Sequence, residues 1–453
     1  MAEDAPKASL KSRTLWAGGW TLIQVLGQHV IRLGSNLIMT RLLVPEAFGL
    51  IALVGTLVTA FGLLSDIGIS RSIVREADGA TPHFLRAAWV VKIGRGMMIA
   101  ACVLVSALAL FLTGHLWAPD ESVYAAPELS GLIALSALVP VLMGVEATTK
   151  ELAQRNLSYK RITGLEISAR VISILSMIMF AYLSPTAWAL LAGMLMFIVI
   201  NSLGSHVVFP GPRMAVVWDR EISQRLWRYG KWLMGSSLLT FLSRNADKFI
   251  LGGFLDAATF GLYVIAQIWI SAGMMVVRKL NEQVGFSSMG EVIRTRPEQL
   301  AKQFLKLQTI IDLICVSGFL ACLFLGPLLI NTLYPEAYMQ AGAFLALLAV
   351  VFLAMRFTLL NNLLMNLGNS RAMMLVSALQ AIMMCVGLPL AYTVFGLPAA
   401  LLVVSLTPLA GAPYVLRLVK PTLGVGQVRF GYLWIGFTLV VTALCFWWLY
   451  TTI

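Results

Sequence analysis

The chain reads as an all-α polytopic membrane protein: two six-helix lobes, parallel repeats around a central cavity, plus an extra C-terminal transmembrane helix. Three observations predict this. Of 453 residues, 59% are hydrophobic and only 12% charged, with a mean hydropathy of +0.85. That is too little charge to cover a soluble domain of this length. Apolar stretches long enough to span a bilayer recur from end to end. A polar pattern also repeats. Gln24, Gln28, Arg32 and Asn36 step by four through the first stretch, and Ser236, Thr240, Arg244 and Lys248 through a later one, with Arg244 lying 212 residues after Arg32. Steps of four place every rung on one helical face. Phe48-Gly49-Leu50 recurs at the same offset as Phe260-Gly261-Leu262. A duplicated bundle with a cationic interior fits the transport of something anionic.

Windows of about 20 mainly apolar residues place spans near 15–42, 46–69, 85–114, 124–146, 162–183 and 186–209. A second set follows near 230–254, 258–277, 306–333, 340–366, 372–394 and 396–416, then a thirteenth near 430–451. The domains are therefore an amino-terminal lobe (1–209), a cytoplasmic linker (210–229), a carboxy-terminal lobe (230–419) and the additional helix (430–453). Pro210, Gly211, Pro212 and a run of charges mark the linker. The last helix ends in Phe446, Trp447, Trp448 and Tyr450, an aromatic anchor for the outer interface.

Loop charge tests the count. Lys+Arg number 33 against 21 Asp+Glu, and alternate loops hold most of the excess. One side carries Lys7, Lys11 and Arg13, then Arg71, Arg75 and Arg86, then Lys150, Arg155, Lys160 and Arg161. It continues through Arg213 to Arg228, Arg278 to Lys306, and Arg371 to Arg429. The other side has Arg41 and otherwise acidic or neutral residues such as Asp120, Glu121, Asp256 and Glu336. This asymmetry predicts a cytoplasmic amino terminus and an outer carboxy terminus. It reads the +12 charge as topology, not as nucleic-acid binding. With six helices before the linker, both halves start from the same side, as parallel repeats do. No short apolar core with a small-residue cleavage site follows the polar first dozen residues, so no removable signal peptide is expected.

Asn36-Leu-Ile-Met-Thr-Arg-Leu-Leu-Val-Pro-Glu-Ala-Phe-Gly-Leu50 resembles the first-helix region of bacterial polysaccharide-repeat-unit flippases, the Wzx-like polysaccharide transporters. Leu64-Ser-Asp-Ile-Gly-Ile-Ser70, Arg244-Asn-Ala-Asp-Lys248 and Leu367-Gly-Asn-Ser-Arg371 are similar to the same family. The resemblance extends over most of the chain on short, loose motifs. It implies the fold shared by multidrug exporters, lipid II flippases and oligosaccharide flippases, commonly with twelve or fourteen helices where this chain has thirteen. It also implies a lipid-linked oligosaccharide and membrane lipids as partners, together with a polymerase and other polysaccharide-assembly proteins, and no cofactor.

The residues narrow the chemistry. An ionised side chain at the bilayer centre costs about 2.5–3.5 kcal/mol on insertion scales. Arg32, Lys92, Arg95, Arg170, Arg244, Lys248 and Arg356 lie well inside the spans, against Glu166, Asp247 and Asp312. Cations in excess of acids need water or an anionic ligand. Arg32 and Arg244 are expected to face one shared cavity, with Lys248, Lys92, Arg95 and Arg356 as further cations and Gln24, Gln28, Asn36 and Thr240 as its polar lining. Lys92 and Arg95 sit near the cytoplasmic end, where snorkelling to headgroups competes with cavity lining. Arg356 competes between the cavity and a pairing with Asp312. Glu166 and Arg170, four apart in the favourable order, are expected to form a structural ion pair. Asp247, between Arg244 and Lys248, serves as an orienting or coupling acid.

Other chemistries find no support. There is no phosphate-binding Gly-x-x-x-x-Gly-Lys-Ser/Thr loop. His29, His83, His115 and His206 match no metal motif. The cysteines (Cys102, Cys315, Cys322, Cys385 and Cys445) lie in apolar stretches without metal or redox spacing. The leading expectation is a flippase for an undecaprenyl-pyrophosphate oligosaccharide. A lipid II flippase shares its need for a cationic cavity, whereas a drug or cation antiporter would favour an acidic or neutral one. A glycosyltransferase or polymerase would need clustered acids and long outer loops, which are absent.

Overall fold

The computed structural model describes residues 10–452, with some side chains in that range outside the description. The Ser236 rung and the Trp448 and Tyr450 anchors fall among those side chains, as do Lys11 and Arg13, while Lys7 lies outside the described residues. Every regular element among the described residues is helical. The protein is an all-α polytopic membrane protein.

Among the described residues, ten stretches are long and apolar enough to cross a membrane, including Pro45–Leu64, Pro82–Trp117, Tyr159–Leu183, Ala187–Val208, Ala257–Leu280 and Glu336–Asn366. One of them, Arg371–Leu423, has 53 residues, enough for two passes. It breaks at Gly396, where φ is 76°, a conformation that glycine adopts at little cost. Pro398 follows, so the break falls where the sequence divides 372–394 from 396–416. The helices Leu10–Met39 and Arg220–Phe254 are 30 and 35 residues long. They carry the two polar ladders, which dilute their hydropathy.

Local chemistry sets several helix starts. Proline stands at the first turn of Pro45–Leu64 and of Pro82–Trp117, where its missing N–H costs nothing. The Thr81 hydroxyl accepts from Phe84 N, and Asp256 accepts from Thr259 N at the head of Ala257–Leu280. Asp219 Oδ1 accepts from the backbone of Glu221 and Ile222. That cap starts Arg220–Phe254 ten residues before the expected span. The early turns persist because Ile222 and Leu226 bury against Ile67, Ile73, Phe84 and Leu85.

The chain divides into two compact units. The first runs through Ser237 apart from Glu121–Val123, which joins the second, Leu238–Ile453. Of the stretch expected as a linker, 210–219 is non-helical, whereas the turns from Arg220 are bound to the first unit by Arg225, which pairs with Asp78 at 3.0 Å. Two short helices not expected from the sequence, Ile69–Arg75 and Thr149–Arg155, cover the ends of the first unit's spans. Arg155 donates to the carbonyls of Ile73 and Glu76 between them.

Candidate functional site

The second unit encloses a cavity of about 510 Å³. Four stretches wall it: Arg220–Phe254, Ala257–Leu280, Glu336–Asn366 and Arg371–Leu423. Thr240, Arg244, Asp247 and Lys248 all line it, so the second ladder's described rungs share a polar interior. Arg278, at the end of Ala257–Leu280, completes the charged lining. Three cations thus face one carboxylate. Arg244 and Arg278 are exposed to the cavity and repel one another. Neither they nor Lys248 forms an ion pair among the described residues. Lys248 Nζ instead donates to Asn245 Oδ1 at 3.2 Å.

Asp247 is set apart from its cationic neighbours. It is 3% exposed, and its Oδ2 accepts from the hydroxyl of fully buried Tyr263. Gln267 Nε2 donates to that hydroxyl at 2.7 Å. Asp247 Oδ1 has no partner. A buried carboxylate oxygen without a donor costs free energy. Tyr263 thus fixes the orientation of the Asp247 carboxylate itself.

Arg278 escaped the sequence reading because it sits at a helix end, where a cation reads as a topology charge. A signal was present. Gln267, Ser271, Met274 and Arg278 step by four, three and four, placing them on one face. That face lines the cavity.

The first unit corrects several assignments. Lys92 is a partner of Glu146 and Glu151, at 3.2 and 3.0 Å, not a cavity cation. The acids come from residues beyond the next span, where a one-helix search for partners cannot find them. Arg95 donates to Gly62 O at 2.5 Å and to Ser65 Oγ at 3.2 Å. It thereby caps the last turn of Pro45–Leu64, where carbonyls lack helical partners. Gln24 and Gln28 both donate to Glu166 Oε2, at 2.5 and 2.7 Å, tying two helices together instead of lining a cavity. The expected Glu166–Arg170 pair is absent. Glu166 takes Lys150 at 3.4 Å, while the Arg170 guanidinium lies 3.9 Å from the centre of the Phe197 ring. Lys150 also pairs with Glu146 at 2.8 Å. Burial works against its charge, yet Glu146 and Glu166 outweigh that and raise its pKa above the usual lysine value.

Arg356 is likewise structural. It is 5% exposed, pairs with Asp312 at 3.0 Å, and lies over the rings of Trp434 and Phe430 at 4.5 and 4.9 Å. Its removal from the substrate-binding set follows from that enclosure. Arg32 is exposed and Asn36 is buried, one turn apart on the first ladder.

A family model described as "Polysaccharide biosynthesis protein" matches residues 38–343. The chain belongs to that family. Among its polysaccharide-biosynthesis relatives, the chain is 23% identical over 348 residues to the "Lipopolysaccharide biosynthesis protein WzxC" of Escherichia coli K12, covering 76% of this chain and 68% of WzxC. It is 21% identical over 280 residues to the "Succinoglycan biosynthesis transport protein ExoT" of Rhizobium meliloti, covering 61% of this chain and 54% of ExoT. Among solved structures it resembles "Lipid II flippase MurJ, inward closed conformation", with a TM-score of 0.64 at 11% identity over 94% of this chain and 96% of that one. It also resembles an inward-facing multidrug resistance MATE family transporter of the MOP superfamily, with a TM-score of 0.62 at 14% identity, covering 92% and 98%. The fold is thus the one these two transporters share, and the family a polysaccharide-biosynthesis one.

Proposed function

We propose that this protein is a flippase that moves an undecaprenyl-pyrophosphate-linked oligosaccharide repeat unit across the bacterial cytoplasmic membrane. Its product would feed exopolysaccharide, capsule or lipopolysaccharide O-antigen synthesis. The observation that carries the reading is the second unit's cavity, where Arg244, Lys248 and Arg278 face a single carboxylate. Guanidinium forks and an ammonium can replace the water that a diphosphate loses on entering the bilayer. The names of WzxC and ExoT point to the same class of task. The lipid tail would stay in the hydrocarbon while the polar head crosses by alternating access. The two units would be parallel repeats, with the amino terminus in the cytoplasm and the carboxy terminus outside.

The cation excess disfavours a drug or cation antiporter, whose cargo would be repelled. A lipid II flippase has the same electrostatic need, and the MurJ-like fold keeps it as the second reading. Analysis of lipid-linked intermediates in a deletion strain decides between them. Accumulation of one undecaprenyl-linked oligosaccharide on the inner leaflet is the expected result. Accumulation of lipid II would favour the second reading, and unchanged pools would refute both.

A further inference from the structure

The helices Leu10–Met39 and Tyr159–Leu183 pack side by side in the first unit, and their register follows from three contacts. Thr163 Oγ1 donates to Trp20 O at 3.3 Å, Gln24 and Gln28 reach Glu166, and Gly27 faces Ile167. Residue numbers rise together along both helices, so the two run parallel. Arg32 stands four residues beyond Gln28, and Arg170 four beyond Glu166. Four residues rise about 6 Å, so the arginines come level one turn above the Gln28–Glu166 bond. Their charges are close enough to repel.

Among the described residues of the first unit, only Glu166 offsets this charge, acting on Arg170 from beyond ion-pair distance. Glu166 is held by Lys150 and the two glutamines, and neither arginine makes an ion pair among the described residues. Arg170 Nε is buried without a hydrogen-bond partner, its guanidinium laid against Phe197. One turn past Arg32 on the same face, Asn36 is 8% exposed and its Nδ2 also lacks an acceptor. Two guanidiniums and a buried amide therefore present donors with no acceptor among them. Like charges brought together in low dielectric repel, and a bound anion relieves that repulsion.

We propose that Arg32, Arg170 and Asn36 form a second oxyanion site, in the first unit, that takes one phosphate group. The guanidinium of Arg32 and Nε of Arg170 supply the charge, and Asn36 Nδ2 the third donor. This site is built from first-unit residues alone, whereas Arg244, Lys248 and Arg278 belong to the second unit. The phosphate belongs either to the diphosphate of a polyprenyl carrier or to the headgroup of a bilayer phospholipid, since both present the same oxygens.

Calorimetric titration of the full chain in phosphate-free detergent with inorganic pyrophosphate tests the site. Wild type should show two classes of site. The triple variant Arg244→Gln/Lys248→Gln/Arg278→Gln should keep one. Adding Arg32→Gln or Arg170→Gln to the triple variant should weaken that one about tenfold or more, the cost of a charged hydrogen bond, and Arg170→Lys should recover part of it. Asn36→Asp, placing a carboxylate one turn past Arg32 on the same face, should abolish the remaining binding and raise the melting temperature. Loss of all binding in the triple variant, indifference to Arg32→Gln and Arg170→Gln, or a lower melting temperature for Asn36→Asp would overturn the proposal. Retention of both classes in the triple variant would instead count against the second-unit cavity while leaving this site standing. Displacement of pyrophosphate by phosphatidylglycerol would name the bilayer as the source. Displacement only by a short-chain polyprenyl diphosphate would name the carrier lipid.

Discussion

Replacing Arg244 by alanine separates function from stability. Arg244 is exposed to the second unit's cavity and makes no ion pair among the described residues, so its removal strands no buried partner. Substitutions of that kind change stability by about ±0.5 kcal/mol, small beside a total of about 5–15 kcal/mol. Membrane abundance should stay near wild type. The loss for a bound phosphate is larger. One charged hydrogen bond contributes about 1.5–3 kcal/mol, which is roughly a ten- to hundredfold fall in transport rate, with Lys248 and Arg278 left to hold the remainder. Arg244→Lys should fall between the two, because an ammonium lacks the planar fork. The control is Lys92→Ala, which leaves Glu146 and Glu151 buried with one cation fewer. Breaking a buried pair in this way costs about 3–5 kcal/mol, so abundance itself should fall. Quantitative immunoblotting of membranes, paired with measurement of exported polysaccharide, reads both axes. Arg244→Ala missing from the membrane while Lys92→Ala remains abundant but inactive would reverse the division of structural from functional charge.

Four further outcomes are expected. Glu166→Ala should lower abundance, because it removes the acceptor of Gln24 and Gln28 and a partner of Lys150; a thermal-melting assay in detergent checks it. Arg356→Ala should cost about 3–5 kcal/mol and lower the melting temperature, since it strands Asp312 and empties the space against Trp434 and Phe430; transport by the surviving molecules should be normal. The hydrogen bond from His83 and the backbone N–H groups of Ile222 and Glu221 hold the Asp219 carboxyl below its usual value. A depressed carboxyl stabilises above its unfolded pKa of about 4 and loses that contribution as pH falls through the folded value. Melting temperature should therefore drop in acid below about pH 4, and less steeply in Asp219→Asn. Alkaline phosphatase fused after Ile453 should be active if the carboxy terminus lies outside, and inactivity would show that the last span has been misjudged.

Composition alone determined the class of this protein, because a bilayer demands long apolar helices with every backbone group bonded internally, and such stretches are visible without a structure. Their ends were legible to within a few residues wherever a proline, a capping side chain or Gly396 acts locally. Arg220–Phe254 began early because, although its cap Asp219 is local, its buried partners Ile73 and Phe84 lie outside any one window. The second ladder was readable as a polar face, since a step of four is a property of one helix, and that face lines the cavity. What each charge does was decided only by tertiary structure. Lys92, Arg95 and Arg356 look in sequence like Arg244, being cations in apolar spans, but their partners Glu151, Gly62 and Asp312 come from other helices. Pairing is a matter of distance in space, and in a bundle the nearest acid is rarely the nearest in sequence. Glu166 and Arg170 make the converse point: helical spacing permits their pairing, yet Lys150 and Phe197, brought in from elsewhere in the chain, engage the two side chains instead.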